Sequence, residues 1–462
     1  MNGGQGQGQG TSLQGSLRLG HVVFFGLAFL APISIFSIYG VAIQSSKGMI
    51  ASAYVIASIV MLFTAYSYGM LVKAFPTAGA AYSFAQKSMN SQVGFIVGWT
   101  ILLDYMFCPL ISALFFGIFA TSYFPDVPFY VFILLFVSVI TIVNVLGIKI
   151  AANFNALLLT FQIIFCLSFI VISIKGLLDG KGIGTLISTL PFFDPNVKLA
   201  SVLSIVPLLS FTYLGFDAVT TLAEETENPR KTLPKAMFLI TIIASLLFIA
   251  ISYFAQLVYT DIDSFIDPES AAMQIFSYIG GNIFVSIFVA IWSTAGLASA
   301  VASSSSAARV LYVMGREHVL PNKFFGYLSP KYHTPVFNLL LVAVVALGAL
   351  VLDVLTVTSF INFGALFAFT MVNLSVISHY FIRLKMRKGK DMLLYLVLPL
   401  IGAFFTGLFL IKLDIHSLLL GGLWLTGGLI YLIFLTKMFS QPLPDLYGSG
   451  DETRLEATAS SE

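Results

Sequence analysis

Two carboxylates lie inside long apolar runs of this 462-residue chain, Asp104 in ILLDYMF and Asp217 in FTYLGFDAV. A carboxylate at the centre of a bilayer costs about 2.5–3.5 kcal/mol on insertion scales, so acids are kept there for ion or substrate paths. Asp104, which stands before Tyr105, is a functional residue by default on that ground. Its alternative role is a hydrogen bond between helices while protonated. Asp217 lies two residues past Gly215, a residue that weakens a helix. Burial favours a neutral carboxyl and a nearby cation favours the ionised form. A proton and a cationic substrate could therefore compete for such a group, which makes Asp217, or Asp104, the candidate for proton coupling.

Little else in the chain suggests covalent chemistry. The five histidines are scattered near the ends of apolar runs, and no nucleophile set or metal-ligand cluster is visible. Cys108 and Cys166 both fall within apolar runs and read as buried free thiols. No enzyme activity, metal or cofactor is expected. A net charge of +2 is too small to suggest nucleic acid. Without an ATP-binding glycine loop, an ion gradient or exchange must supply any driving force.

The elements that must hold these acids are membrane helices. Hydrophobic residues make up 58% of the chain and charged ones 10%, and the mean hydropathy is +0.96, which excludes an ordinary soluble domain. The reading is an all-α polytopic membrane protein with 12 spans of about 20 residues, the length that crosses the hydrocarbon core. They cover 19–43, 50–71, 93–123, 127–146, 154–174, 201–222, 236–258, 283–313, 335–352, 357–382, 392–411 and 418–438. An even number places both termini on one side. Basic residues favour the cytoplasm, and with cytoplasmic termini all but five of the 23 Lys and Arg fall there, the exceptions being Lys47, Lys175, Lys181, Lys198 and Lys412. The polar, glycine-rich residues 1–18 and the acidic end, 439–462, read as cytoplasmic tails. The first apolar run has full span length and no cleavage pattern, so a signal peptide is not expected.

Two spans are interrupted. Pro32 stands in mid-span in FLAPISIFSIYG, and five spans later Gly215 stands at similar depth in FTYLGFDAV. Broken helices at corresponding positions point to an inverted-repeat transporter. Their unpaired backbone groups are tolerable only where they are buried in protein or line a cavity. The alternative for Pro32 is a simple kink.

The chain resembles the amino acid–polyamine–organocation superfamily, and within it bacterial putrescine importers. The likeness rests on KAFPTAGAAYSFAQKS, VGWTILLDYMF, FTYLGFDAVTTLAEETENPRKTLPKA, SSAARVLYVMGREHVLP and FINFGALFAFTMVNLSV, spread over nearly the whole sequence. It implies an alternating-access carrier in the bacterial plasma membrane. Its core, 19–382, would hold two inverted repeats of five spans, 19–174 and 201–382, with helices 11 and 12 at 392–438. Substrate would lie between the broken spans and spans 3, 8 and 10. Carried over by position, Ala31, Pro32, Ile33 and Ser34 form the unwound part of span 1, and Phe211, Thr212 and Gly215 belong to that of span 6. In similar carriers an acid followed by tyrosine at the place of Asp104 and Tyr105 faces the substrate cavity, which makes Asp104 a candidate partner for a substrate amine, with Tyr105 nearby. Phe211 would cover the substrate, stacking on an ammonium; its alternative is packing.

Glu224 and Glu225 stand beside Arg230, Lys231 and Lys235 at the inner end of span 6, where acids and bases would pair when an inner gate closes; the alternative is a solvated loop. The segment TAGAAYSFAQKS reads as an amphipathic piece against that gate. The run from Ser303 to Arg309 supplies small residues for close helix approach or, alternatively, an ion site. Two departures bear on the substrate. The break in span 1 lacks the glycines whose bare amides would cradle a carboxylate, which favours a diamine. Against that, Ser37 stands where similar putrescine importers carry an acid, and span 5 lacks the lysine some proton-driven relatives use. The expected function is import of putrescine or a related polyamine, with protons as coupling ions. An amino-acid permease is the alternative within the same architecture, and a channel the alternative outside it.

Overall fold

The computed structural model describes residues 17–436 apart from 266, 267, 269 and 270. Of the expected tails, 439–462 and all but Leu17 and Arg18 of 1–18 lie outside the described residues. Within them the chain is helical, with no strand; a single parallel bridge joins Leu17 to Thr226. Among the described residues ten helices are long and apolar enough to cross a membrane, and two shorter apolar helices, Phe129–Val145 and Val336–Leu350, accompany them.

The first apolar run is divided. Helix α1 (Leu19–Leu30) stops because Pro32 has no N–H to donate and disfavours helical geometry in the residue before it. Ala31 turns into the left-handed region at φ 49°, Pro32–Ser34 form one 3₁₀ turn, and α2 (Ile35–Ser45) resumes the direction. Then follow α3 (Ile50–Ala74), α4 (Ala80–Ser88), α5 (Ser91–Tyr123), α6 (Phe129–Val145) and α7 (Ile148–Leu178). Asn90 starts α5 by accepting the Val93 N–H at 2.8 Å, a side-chain cap for an orphan donor.

The sixth apolar run is divided too. Helix α8 (Leu199–Ser210) passes into a 3₁₀ turn at Phe211–Tyr213, and the chain then swings through Gly215 at φ 109° into a second 3₁₀ segment, Ala218–Glu225. Only glycine suits this point. Its backbone conformation is unfavourable to L side chains, and a Cβ there would lie 2.3 Å from Cδ1 of Phe29 on α1. The two interruptions thus pack directly on each other.

The rest comprises α9 (Pro229–Val258), α10 (Ala271–Arg316), the short α11 (Asn322–Phe325), α12 (Val336–Ala346), α13 (Val354–Val376), α14 (Lys390–Ile411) and α15 (Ile415–Leu435). Helix α10 begins twelve residues before the expected start at 283, because its first part bends at Gly281, φ 67°, before the membrane run proper. Helix α4, expected to be amphipathic, is buried on nearly every side, with Ala80–Gln86 all enclosed. Helix α5 is the hub, packed against α10 on one flank and α13 on the other. Helix α15 is clasped to it by a reciprocal pair: Trp99 Nε1 donates to the Trp424 carbonyl at 3.0 Å and Trp424 Nε1 to the Trp99 carbonyl at 2.8 Å.

Candidate functional site

Between α5, α10 and the two broken segments lies a cavity of about 100 Å³. Asp104, Cys108 and Ser112 line it from α5. Their spacing of i, i+4 and i+8 keeps them on one helix face and sets a length of about 12 Å at 1.5 Å per residue. Helix α10 forms the facing wall and runs antiparallel: Ser299 Oγ lies 3.4 Å from Cys108 Sγ, and the bare Cα of Gly296 faces Ser112. Asp104 therefore occupies one end, and Phe115, Phe116 and Trp292 the other.

Asp104 is fully buried, and neither carboxylate oxygen has a hydrogen-bond partner among the described residues. No Lys, Arg or His is among the residues lining the cavity. A buried acceptor pair without donors is costly unless a ligand or a proton supplies them. Ala31, Ile33, Ser34 and Phe211 also line the cavity, together with Ser37.

The remaining expected contact residues lie elsewhere. Pro32, Thr212 and Gly215 are buried behind the lining, and the Thr212 hydroxyl donates to the Leu209 carbonyl at 2.8 Å. Tyr105, expected beside the substrate, points away, because adjacent residues on a helix project about 100° apart. Its Oη donates to Asp217 Oδ2 at 2.6 Å, and Tyr68 of α3 donates to the same oxygen at 3.4 Å. Asp217 is fully buried and does not line the cavity. It braces α3 and α5 against the second break, within a shell that includes Phe84, Phe216 and Phe369 around Tyr68.

The acidic pair after the second break does find bases, but not the expected ones. Arg309 of α10 binds Glu225 at 2.6 Å, with both side chains under 10% exposed. Arg316 makes a two-pronged contact with Glu224, 2.8 Å and 3.0 Å. Arg230, Lys231 and Lys235 are exposed on α9. The same junction is tied from below: the Leu17 N–H donates to the Glu225 carbonyl and the Glu227 N–H to that of Leu17, each at 2.9 Å. At the next residue after Arg316, Tyr82 of α4 donates to Glu317 at 2.5 Å. Burial raises the Glu317 carboxyl above its usual range, against the opposing pull of the Tyr82 and Gln86 hydrogen bonds and of Lys87 and Arg316.

Sequence reading missed Cys108, Ser112, Trp292, Ser293 and Ser299. The first two were within reach, standing one and two turns from Asp104 on its own face. The α10 residues carry no local signal.

The sequence pattern of the amino acid permease family matches residues 21–439. The chain belongs to the amino acid permease family. This permease is 41% identical over 436 residues to the low-affinity putrescine importer PlaP of Escherichia coli (strain K12), covering 94% of this chain and 96% of that one. It is 45% identical over 190 residues to the probable low-affinity putrescine importer PlaP of Klebsiella pneumoniae, 41% of this chain and 96% of the other. The methylthioribose transporter of Bacillus subtilis (strain 168) is 25% identical over 405 residues, 80% of this chain and 82% of the other. Family membership and the apolar helices together make the permease a multi-pass plasma-membrane protein.

Proposed function

We propose that the permease imports putrescine or a related polyamine as a secondary active, proton-coupled carrier. The observation that carries this reading is Asp104, a buried carboxylate with both oxygens unpartnered in a cavity whose lining holds no basic residue. An ammonium supplies the missing donors and the missing charge together. Likeness to the E. coli importer over 94% of the chain supports the same substrate class.

In this reading the two shorter apolar helices, Phe129–Val145 and Val336–Leu350, are spans 4 and 9 of twelve. Residues 19–174 and 201–382 form the inverted repeats, 392–438 the appended pair, and both termini are cytoplasmic. The Glu225–Arg309 and Glu224–Arg316 pairs are then the inner gate, closed here, with the cavity on its outer side. Alternating access requires these pairs to part. Phe211 covers the bound amine, Ala31, Ile33 and Ser34 flank it, and Asp217 carries the coupling proton, with Asp104 the other candidate.

Uptake of labelled putrescine by proteoliposomes under an imposed pH gradient tests substrate and coupling together. Wild-type uptake is expected to need the gradient, and Asp104→Asn to lose most uptake while inserting normally. Full uptake by that variant would remove Asp104 from the site. The amino acid permease pattern favours a second reading, import of an amino acid; uptake of a neutral amino acid without putrescine would establish it instead.

A further inference from the structure

The cavity wall has a hydrogen-bond polarity of its own, set by where its hydroxyl protons already go. Ser37 donates to the Ser34 carbonyl at 2.6 Å, Ser112 to that of Cys108 at 2.9 Å, Ser293 to that of Val289 at 2.8 Å and Ser299 to that of Phe29 at 2.7 Å. Ser34 reaches the Leu30 carbonyl at the longer distance of 3.5 Å. A carbonyl only accepts, so in each case the serine must be the donor. Cys108 follows by the same logic: the Ser299 proton is committed to Phe29, so the thiol, 3.4 Å away, donates to Ser299.

What these groups still offer a ligand is lone pairs. The backbone adds little to the donor side. Pro32 has no N–H, Ala31 bonds to the Leu27 carbonyl at 3.0 Å and Ser34 to that of Ala31 at 2.8 Å, so the first break offers at most the Ile33 amide. At the second break the two lining residues are engaged likewise, the Phe211 amide bonded to the Leu208 carbonyl and that of Leu214 to the Phe211 carbonyl at 3.2 Å. The indole of Trp292 is the one N–H among the lining side chains, and it is neutral. Asp104 adds two more acceptor oxygens at one end.

Resting on the proposed function, we infer that the cavity selects ligands as hydrogen-bond donors: an ammonium at Asp104, and at the Ser112 and Ser293 end any donor group, charged or neutral, while a carboxylate is rejected there. The asymmetry is physical. Full charge is matched only at Asp104, because the far end has neutral oxygens. A terminal hydroxyl therefore satisfies that end as a second ammonium does. A carboxylate brings acceptors to acceptors, leaving buried lone pairs unpaired on both sides, the situation that gives polar sites their largest discrimination. Ligands thus extend from diamines to amino alcohols and stop before amino acids.

The test is competition against labelled putrescine in proteoliposomes holding the full-length permease, with four-carbon ligands that differ only at one end. 4-Aminobutan-1-ol is expected to compete within about tenfold of putrescine, butylamine at least tenfold more weakly than the amino alcohol, and 4-aminobutanoate not at all at a hundredfold excess. In the double variant Ser112→Ala, Ser293→Ala, putrescine and the amino alcohol should weaken while butylamine is unchanged. A folding defect would weaken all three alike, and equal loss across the three overturns the assignment of the serine end. If 4-aminobutanoate competes as well as the amino alcohol, the donor-selective site is wrong while putrescine import stands. If amino acids are transported and putrescine is not, both fall.

Discussion

Tyr105 donates its phenol proton to Asp217 at 2.6 Å, while its neighbour Asp104 turns its unpartnered carboxylate into the cavity. One peptide unit of α5 therefore serves two acids with different surroundings. Asp104 meets the ligand space directly. Asp217 is held by Tyr68 and Tyr105 and does not line the cavity.

From that arrangement, Asp217→Asn is expected to keep an acceptor for Tyr105 and hence the fold, while removing the proposed site of proton exchange. Net putrescine uptake should lose its dependence on an imposed pH gradient, and counterflow exchange, which needs no return of the empty carrier, should persist. Unchanged gradient dependence would move the proton to another carboxyl.

Phe211 lines the cavity at the second break and is half-buried. If its ring lies over the substrate, Phe211→Ala should raise the apparent KM for putrescine about tenfold, and Phe211→Tyr, which keeps a π face, should change it little. Equal kinetics for the two variants would assign Phe211 to packing.

The two ion pairs should differ in their effect on stability because they differ in burial. Side-chain exposure is 2% and 7% for Glu225 and Arg309 but 22% and 35% for Glu224 and Arg316. Removing one partner of a buried pair leaves an uncompensated charge and costs about 3–5 kcal/mol. An exposed pair contributes about 0–1 kcal/mol. Glu225→Ala should therefore lower the melting temperature in detergent well below that of Glu224→Ala, with Glu225→Ala, Arg309→Met recovering much of the loss. Equal melting temperatures for the two single variants would refute the ranking.

Glu317 carries a pH signature outside the membrane spans. Burial holds its carboxyl above the ordinary value of 4.5, so above that value the folded protein keeps a proton that the unfolded chain has released. With more protons bound in the folded state, stability falls as pH rises from 4.5 through the raised native value. Glu317→Gln retains an acceptor for Tyr82 and removes the titration, so its melting temperature should be flatter than wild type across that window. A variant with the wild-type slope would place the titration elsewhere.

The permease family and the all-helical membrane character were legible along the chain, because hydropathy, span length and motif spacing are local properties. So were the sites of interruption: Pro32 lacks a donor and Gly215 tolerates a left-handed turn whatever surrounds them. Asp104 stood out for the same reason, an acid where hydrocarbon makes acids expensive. Local spacing on α5 even held Cys108 and Ser112, since a helix face follows from a fixed rotation per residue.

Partner choice was not local. That Glu225 and Glu224 pair with Arg309 and Arg316 rather than with nearby Arg230 and Lys231 depends on α10 packing across the end of the second break, some 84 and 92 residues away in sequence. Likewise, Asp217 and Asp104 look equivalent as letters, two acids in apolar runs. Only the tertiary structure decided that one is closed off by Tyr68 and Tyr105 while the other faces a cavity. The direction in which a helical side chain points is fixed by its sequence, but what meets it there is set by the packing of helices that composition and spacing do not specify.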